Sequence, residues 1–128
     1  MGKNSLLDAK AMKKVLVFIL VLVCTFVYTS EQDQRVVESM ERVRAHYSRK
    51  NWVMMIQEAY LLYTWGELGA LEKVLRMSGE VAVMRNSDAA ALQVAALYQM
   101  IIAPKETQYW LKTAQRLRRE RLKRWKKY

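Results

Sequence analysis

Four glycines and one proline are the only strong helix breakers in 128 residues, and this scarcity constrains the fold more than any other feature. A β-sandwich needs turn residues every 8–12 or so positions, and a phosphate loop needs clustered glycines. Neither is available, so the chain is expected to be all-α. An apolar share of 52% rules out a disordered chain, because disorder requires too little apolar surface to offset the entropy of ordering. One cysteine and one histidine leave no intramolecular disulfide framework, multi-thiolate zinc site or histidine cluster.

The net charge of +10 is confined to the ends. Residues 1–30 carry four lysines and one aspartate, residues 31–115 carry ten acids and ten bases, and residues 116–128 carry eight bases and Glu120. These limits define three expected regions: an N-terminal signal-anchor or signal peptide, a helical repeat-like domain, and a basic C-terminal helical extension.

In the first region Lys10, Lys13 and Lys14 precede an uncharged run from Val15 to Thr29. Fifteen helical residues reach roughly 22 Å, short of the roughly 30 Å of a hydrocarbon core. Cleavage would use Val27 with Thr29, or Tyr28 with Ser30, and neither pair matches the small residues a signal peptidase prefers. The reading therefore favours an uncleaved anchor with Lys13 and Lys14 snorkelling and Tyr28 at the interface. Val23 argues against lipidation at Cys24, and Leu6 against myristoylation at Gly2. Lysines before the run and Glu31 and Asp33 after it predict a cytoplasmic N-terminus. The expected location is a bacterial inner membrane with the body on the periplasmic side, or the periplasm after cleavage, with translation beginning at Met1 or Met12.

The second region reads as successive helices. Val36, Met40, Val43 and Tyr47 form one apolar stripe. Trp52–Tyr63 is apolar on most faces and is expected at the centre, and residues 65–69 are expected to form a turn. A short helix over Ala70–Met77 is expected to stop at Ser78-Gly79. Asn86-Ser87-Asp88 suits a helix start. Ala89–Ala103 then reads as a buried helix rather than a second span, with alanines that admit a close neighbour, and Pro104 opens the last helix.

The spacing of Ala95, Tyr98, Thr107, Leu111 and Ala114, echoed 36 residues earlier by Ala59, Leu62, Leu71 and Leu75, resembles the helix-turn-helix consensus of tetratricopeptide repeats. Residues 107–114 also resemble the second helix of Sel1-like repeats. The resemblance covers about residues 51–117 and implies antiparallel helical hairpins, TPR-like or a small helical bundle, behind the N-terminal helix. It further implies a partner-binding groove near Met55, Glu58, Leu62, Gln93 and Gln99. Trp65 is added as an aromatic at a turn, because Trp and Tyr anchor interfaces.

No residue set carries catalysis, and the sequence predicts no enzyme activity, cofactor or metal. His46 lies beside Arg44, Tyr47 and Arg49 with no carboxylate to orient it, and Cys24 lies in apolar surroundings that disfavour a thiolate. Glu38 and Glu41 read as a solvated face alongside Arg42 and Arg44.

The third region is the sharp signal. Arg116, Arg118, Arg119, Arg121, Lys123, Arg124, Lys126 and Lys127 surround Leu122 and Trp125 on a helix, a pattern suited to an anionic membrane surface or an acidic protein. The function expected is a membrane-tethered or exported helical adaptor for a protein partner, an accessory part of an envelope or secretion assembly. The alternative is a small membrane-associated protein binding nucleic acid through the same basic helix.

Overall fold

The computed structural model describes the backbone of residues 2–126, and the side chains of those residues apart from 2–8, 28–30 and 32. Described residues form five helices: α1 (Gly2–Ser48), α2 (Trp52–Thr64), α3 (Leu68–Met84), α4 (Asp88–Met100) and α5 (Pro104–Lys126). The protein is all-α, and it divides into two compact units, Met1–Arg35 and Val36–Tyr128.

In the first unit the described large apolar side chains of the run are exposed, from 49% at Ile19 and Val27 to 75% at Phe26. Among the described residues, no helix is long and apolar enough to cross a membrane. This overturns the expected inner-membrane anchor with a periplasmic body. The physical reason is length: the sixteen residues between Lys14 and Glu31 reach about 24 Å as a helix, short of the roughly 30 Å of a hydrocarbon core. Tyr28, Thr29 and Ser30, invoked as belt and cleavage residues, have side chains outside the described set.

In the second unit each connection from α1 to α5 is three residues long: residues 49–51, 65–67, 85–87 and 101–103. All four are built alike. The central residue is left-handed in every case, with φ of +54° at Lys50, +74° at Gly66, +50° at Asn86 and +57° at Ile102. Its amide and the next one bond back to carbonyls of the preceding helix, as Asn51 N–H does to His46 O, Glu67 to Leu62, Ser87 to Ala82 and Ala103 to Tyr98. This six-to-one closure satisfies carbonyls that a helix end otherwise leaves orphaned. Asn51 and Ser87 then cap the following helices, their side chains accepting from Met54 N–H and Ala90 N–H.

The reversals bring α2 against α3, α3 against α4, α4 against α5, and α2 beside α4. The main core joins Val43 of α1, Met55, Ile56, Ala59 and Leu62 of α2, Leu71, Val74, Leu75 and Val81 of α3, and Val94, Leu97 and Tyr98 of α4. Val36, Met40 and Tyr47 pack against it, as their spacing predicted. A second cluster is almost all alanine: Ala82, Ala90, Ala91 and Ala114 with Leu117. Small side chains there let three helices approach closely, and α4 is a core helix as expected.

Helix α3 runs on to Met84 rather than stopping at Ser78-Gly79. Ser78 Oγ donates to Val74 O at 2.7 Å within the helix, which removes its incentive to break it. Gly79 serves packing instead, because a Cβ there would overlap Cη2 and Cζ2 of the Trp110 ring. The expected turn over residues 65–69 contracts to 65–67, and α4 ends at Met100 rather than Ala103.

Two stability measurements check this account. Gly79→Ala forces the Trp110 ring to move and is expected to destabilise the domain by about 1–3 kcal/mol in denaturant unfolding. Ile102 is β-branched, left-handed and 87% exposed; Ile102→Gly removes backbone strain with no burial to lose and is expected to stabilise by about 1 kcal/mol.

Candidate functional site

Glu58 is the only carboxylate in the central face of α2, and it is 6% exposed. A buried carboxylate needs partners, and α1 supplies them. Ser39 Oγ donates to Glu58 Oε2 at 2.8 Å, Arg42 Nε to Oε1 at 2.5 Å and Arg42 Nη2 to Oε2 at 3.1 Å. Burial pushes the Glu58 carboxyl up, but hydrogen bonds from Arg42 and Ser39, with the charges of Arg42 and His46, hold it below its ordinary value of 4.5. A second strap runs from α1 to α3, where Tyr47 donates to Glu80 Oε2 at 2.8 Å.

These contacts fix where the residues of the expected groove lie. Met55 and Leu62 have no exposure and belong to the core. Glu58 is occupied by Ser39 and Arg42. Trp65 is half-buried against the core rather than free at its turn. Gln93 and Gln99 are exposed on α4, but six positions apart on a helix they face directions about 120° from each other. Gln99 lines a shallow cleft with Ile102, Ala103, Pro104, Thr107 and Gln108. The six residues therefore form no common groove, because an apolar helix at the centre turns its largest side chains into the core.

His46 is half-buried, with Nδ1 lacking a hydrogen-bond partner. Cys24 is exposed. Among the described residues no three His, Cys, Asp or Glu side chains gather as a metal site.

Charge, by contrast, collects at one pole of the second unit. Helix α5 turns back along α4, and Arg121 Nη1 meets Asp88 Oδ1 at 3.2 Å. Asp88 is the first residue of α4, so the late part of α5 stands at the end where the 85–87 turn lies. The last residue of α5 with core burial is Leu117. From Arg118 to Lys126 every residue is exposed, including Leu122 at 49% and Trp125 at 80%. Arg116, Arg118, Arg119, Lys123, Arg124 and Lys126 are all exposed as well, while Arg121 is tied to Asp88 and Lys127 lies outside the described residues.

Sequence reading missed Arg49, Lys50 and Arg85, which line a cleft of about 310 Å³ with Asn51, Trp52 and Val53. A signal existed: Arg49 and Arg85 are 36 residues apart, the same interval that relates Ala59 to Ala95. In the structure α4 begins 36 residues after α2, at Asp88 against Trp52, and α5 begins 36 after α3, at Pro104 against Leu68. Equal offsets place the 49–51 and 85–87 turns at the same end.

Compared with models of known protein families, with curated proteins and with solved structures, the chain matches none.

The Glu58 cluster makes stability depend on pH with a definite sign. A carboxyl held below its unfolded value binds fewer protons when folded, so its contribution is present above about pH 4.5 and is lost as pH falls through the lower folded value. Denaturant midpoints measured downward from pH 5 are expected to fall more steeply for the native chain than for Glu58→Gln. At neutral pH that variant is expected to be about 1–2 kcal/mol less stable, near the low end for a buried polar group because Arg42 remains solvated.

Proposed function

We propose that this chain is a non-enzymatic helical adaptor that grips an acidic protein through the exposed end of α5. The observation that carries the reading is the nine-residue stretch from Arg118 to Lys126, exposed throughout, in which Leu122 and Trp125 stand among cations. Leu122 and Trp125 are three positions apart and share a side of the helix, so the surface offers a small apolar anchor inside a positive rim. That is the anatomy of an interface hot spot: an aromatic anchor supplies affinity, while surrounding charge steers encounter and selects the partner's sign.

The body supports the same reading. Two helical pairs with equal 36-residue offsets, closed by matching turns, suit a stack of the tetratricopeptide kind, in which each pair buries its apolar face against the next. Such a stack is rigid, and a rigid stack holds α5 in a fixed pose. Nucleic acid is the second reading, favoured by the density of arginine and lysine. It gives no role to Leu122, because phosphate oxygens are met by cations and hydrogen-bond donors and not by an aliphatic side chain.

A synthetic amphipathic peptide, with glutamates around a leucine stripe, tests the two. The chain is expected to bind it with marked salt dependence. Affinity is expected to fall at least tenfold in Arg118→Glu/Arg119→Glu/Lys123→Glu, which spares Leu117, Arg121 and Leu122, and several-fold in Leu122→Ala. Duplex DNA bound more tightly than the peptide at equal salt, with no loss in Leu122→Ala, would replace this reading by the nucleic-acid one.

A further inference from the structure

The cleft at the α1–α2 turn is lined by no residue of α5, and its charged lining residues are all cationic. Arg49 and Lys50 come from the first turn and Arg85 from the third. All three are exposed, no carboxylate lines the cleft, and the ion pairs among the described residues lie elsewhere, at Arg42–Glu58, Arg76–Glu72 and Arg121–Asp88. Three like charges around one concavity repel one another, and an anion between them relieves that repulsion.

The backbone adds donors of the same sign. Asn51 accepts from Met54 N–H through its side chain and from Met55 N–H through its carbonyl. The amides of Trp52 and Val53 precede the first intrahelical bond, and both residues line the cleft. No acidic side chain stands in the first turn of α2, and Trp52 forms one wall, half-buried against the core.

We propose that this cleft binds a phosphate group carried by a small molecule. Guanidinium groups of Arg49 and Arg85 approach from two turns and suit the fork geometry that phosphate oxygens accept, while Lys50 adds a point charge. Inorganic phosphate alone underfills the space, since the volume lies at the lower end of the range for small-molecule sites. The ligand class is therefore a phosphomonoester, with Trp52 beside the group that bears the phosphate. The cleft shares its pole with the end of α5 but is lined by no residue of that helix, so the site does not depend on it.

Isotope-labelled full-length chain titrated with inorganic phosphate and with a sugar phosphate reads the site directly. Amide signals of Lys50 to Val53 and Arg85 are expected to shift together and to saturate, at lower concentration with the sugar phosphate than with the inorganic ion. Arg49→Ala/Arg85→Ala is expected to weaken binding at least tenfold. Lys50→Gly is the variant that unfolding cannot explain, because its φ of +54° suits glycine; several-fold weaker binding with an unreduced melting temperature is expected. Arg118→Glu/Arg119→Glu/Lys123→Glu is expected to leave these shifts in place. Shifts that persist in the double variant, shifts abolished by the α5 variant, or no saturable change at these amides would each overturn the proposal.

Discussion

Reversal of the chain in three residues is the constraint on which the second unit depends. A three-residue connection leaves no freedom in where the next helix begins, so successive helices must lie against one another. Each reversal requires one left-handed residue, and the positions that take it are chemically unlike: Lys50, Gly66, Asn86 and Ile102. Glycine and asparagine adopt that conformation at little cost, whereas lysine and isoleucine bear strain of about 1–2 kcal/mol. The fold accepts this at Ile102 because the six-to-one bond from Ala103 to Tyr98 and the buried Leu97, Tyr98 and Thr107 on either side hold the ends in place.

The attachment of α1 to the core is of a different kind. Val43 is the one α1 side chain wholly within the main apolar cluster, so polar contacts carry a large share of the docking. Ser39 and Arg42 together satisfy both oxygens of Glu58, and Tyr47 reaches Glu80. An apolar residue at position 58 would bury more comfortably, but it would not select the face of α1 that carries Ser39 and Arg42. The Glu58 contacts thus add to the stripe from Val36 to Tyr47 in setting which side of α1 faces the body.

Much of this architecture was legible because it rests on local signals. The stripe from Val36 to Tyr47, the Ser87 cap and the opening of α5 at Pro104 all follow from periodicity or from a single residue's stereochemistry. Gly79 misled because glycine has two uses, chain breaking and close packing, and only the distant Trp110 ring decides between them. Left-handed Lys50 and Ile102 carry no local mark. Glu58 looked available to a partner because Ser39 and Arg42 lie 19 and 16 residues earlier, beyond any helical repeat distance. The basic end of α5 was readable from composition alone, whereas the pole shared by Arg49 and Arg85 needed the turns to be placed in space.

That pole carries an electrostatic strain that the body itself does not relieve. Beyond Leu117 the helix continues without core contact, and its cations at three- and four-residue spacing repel by about 0.2–0.5 kcal/mol per pair. Glu120 is the lone acid in this stretch, and the Arg121–Asp88 pair is its one ion pair to the body among the described residues. Lys123, Arg124 and Lys126 in the last turn recover part of the loss from the negative end of the helix dipole. The remainder is uncompensated in the isolated chain. An acidic surface seated against the end of α5 would convert that repulsion into attraction, so partner binding and helix stability at this pole are coupled through the same charges.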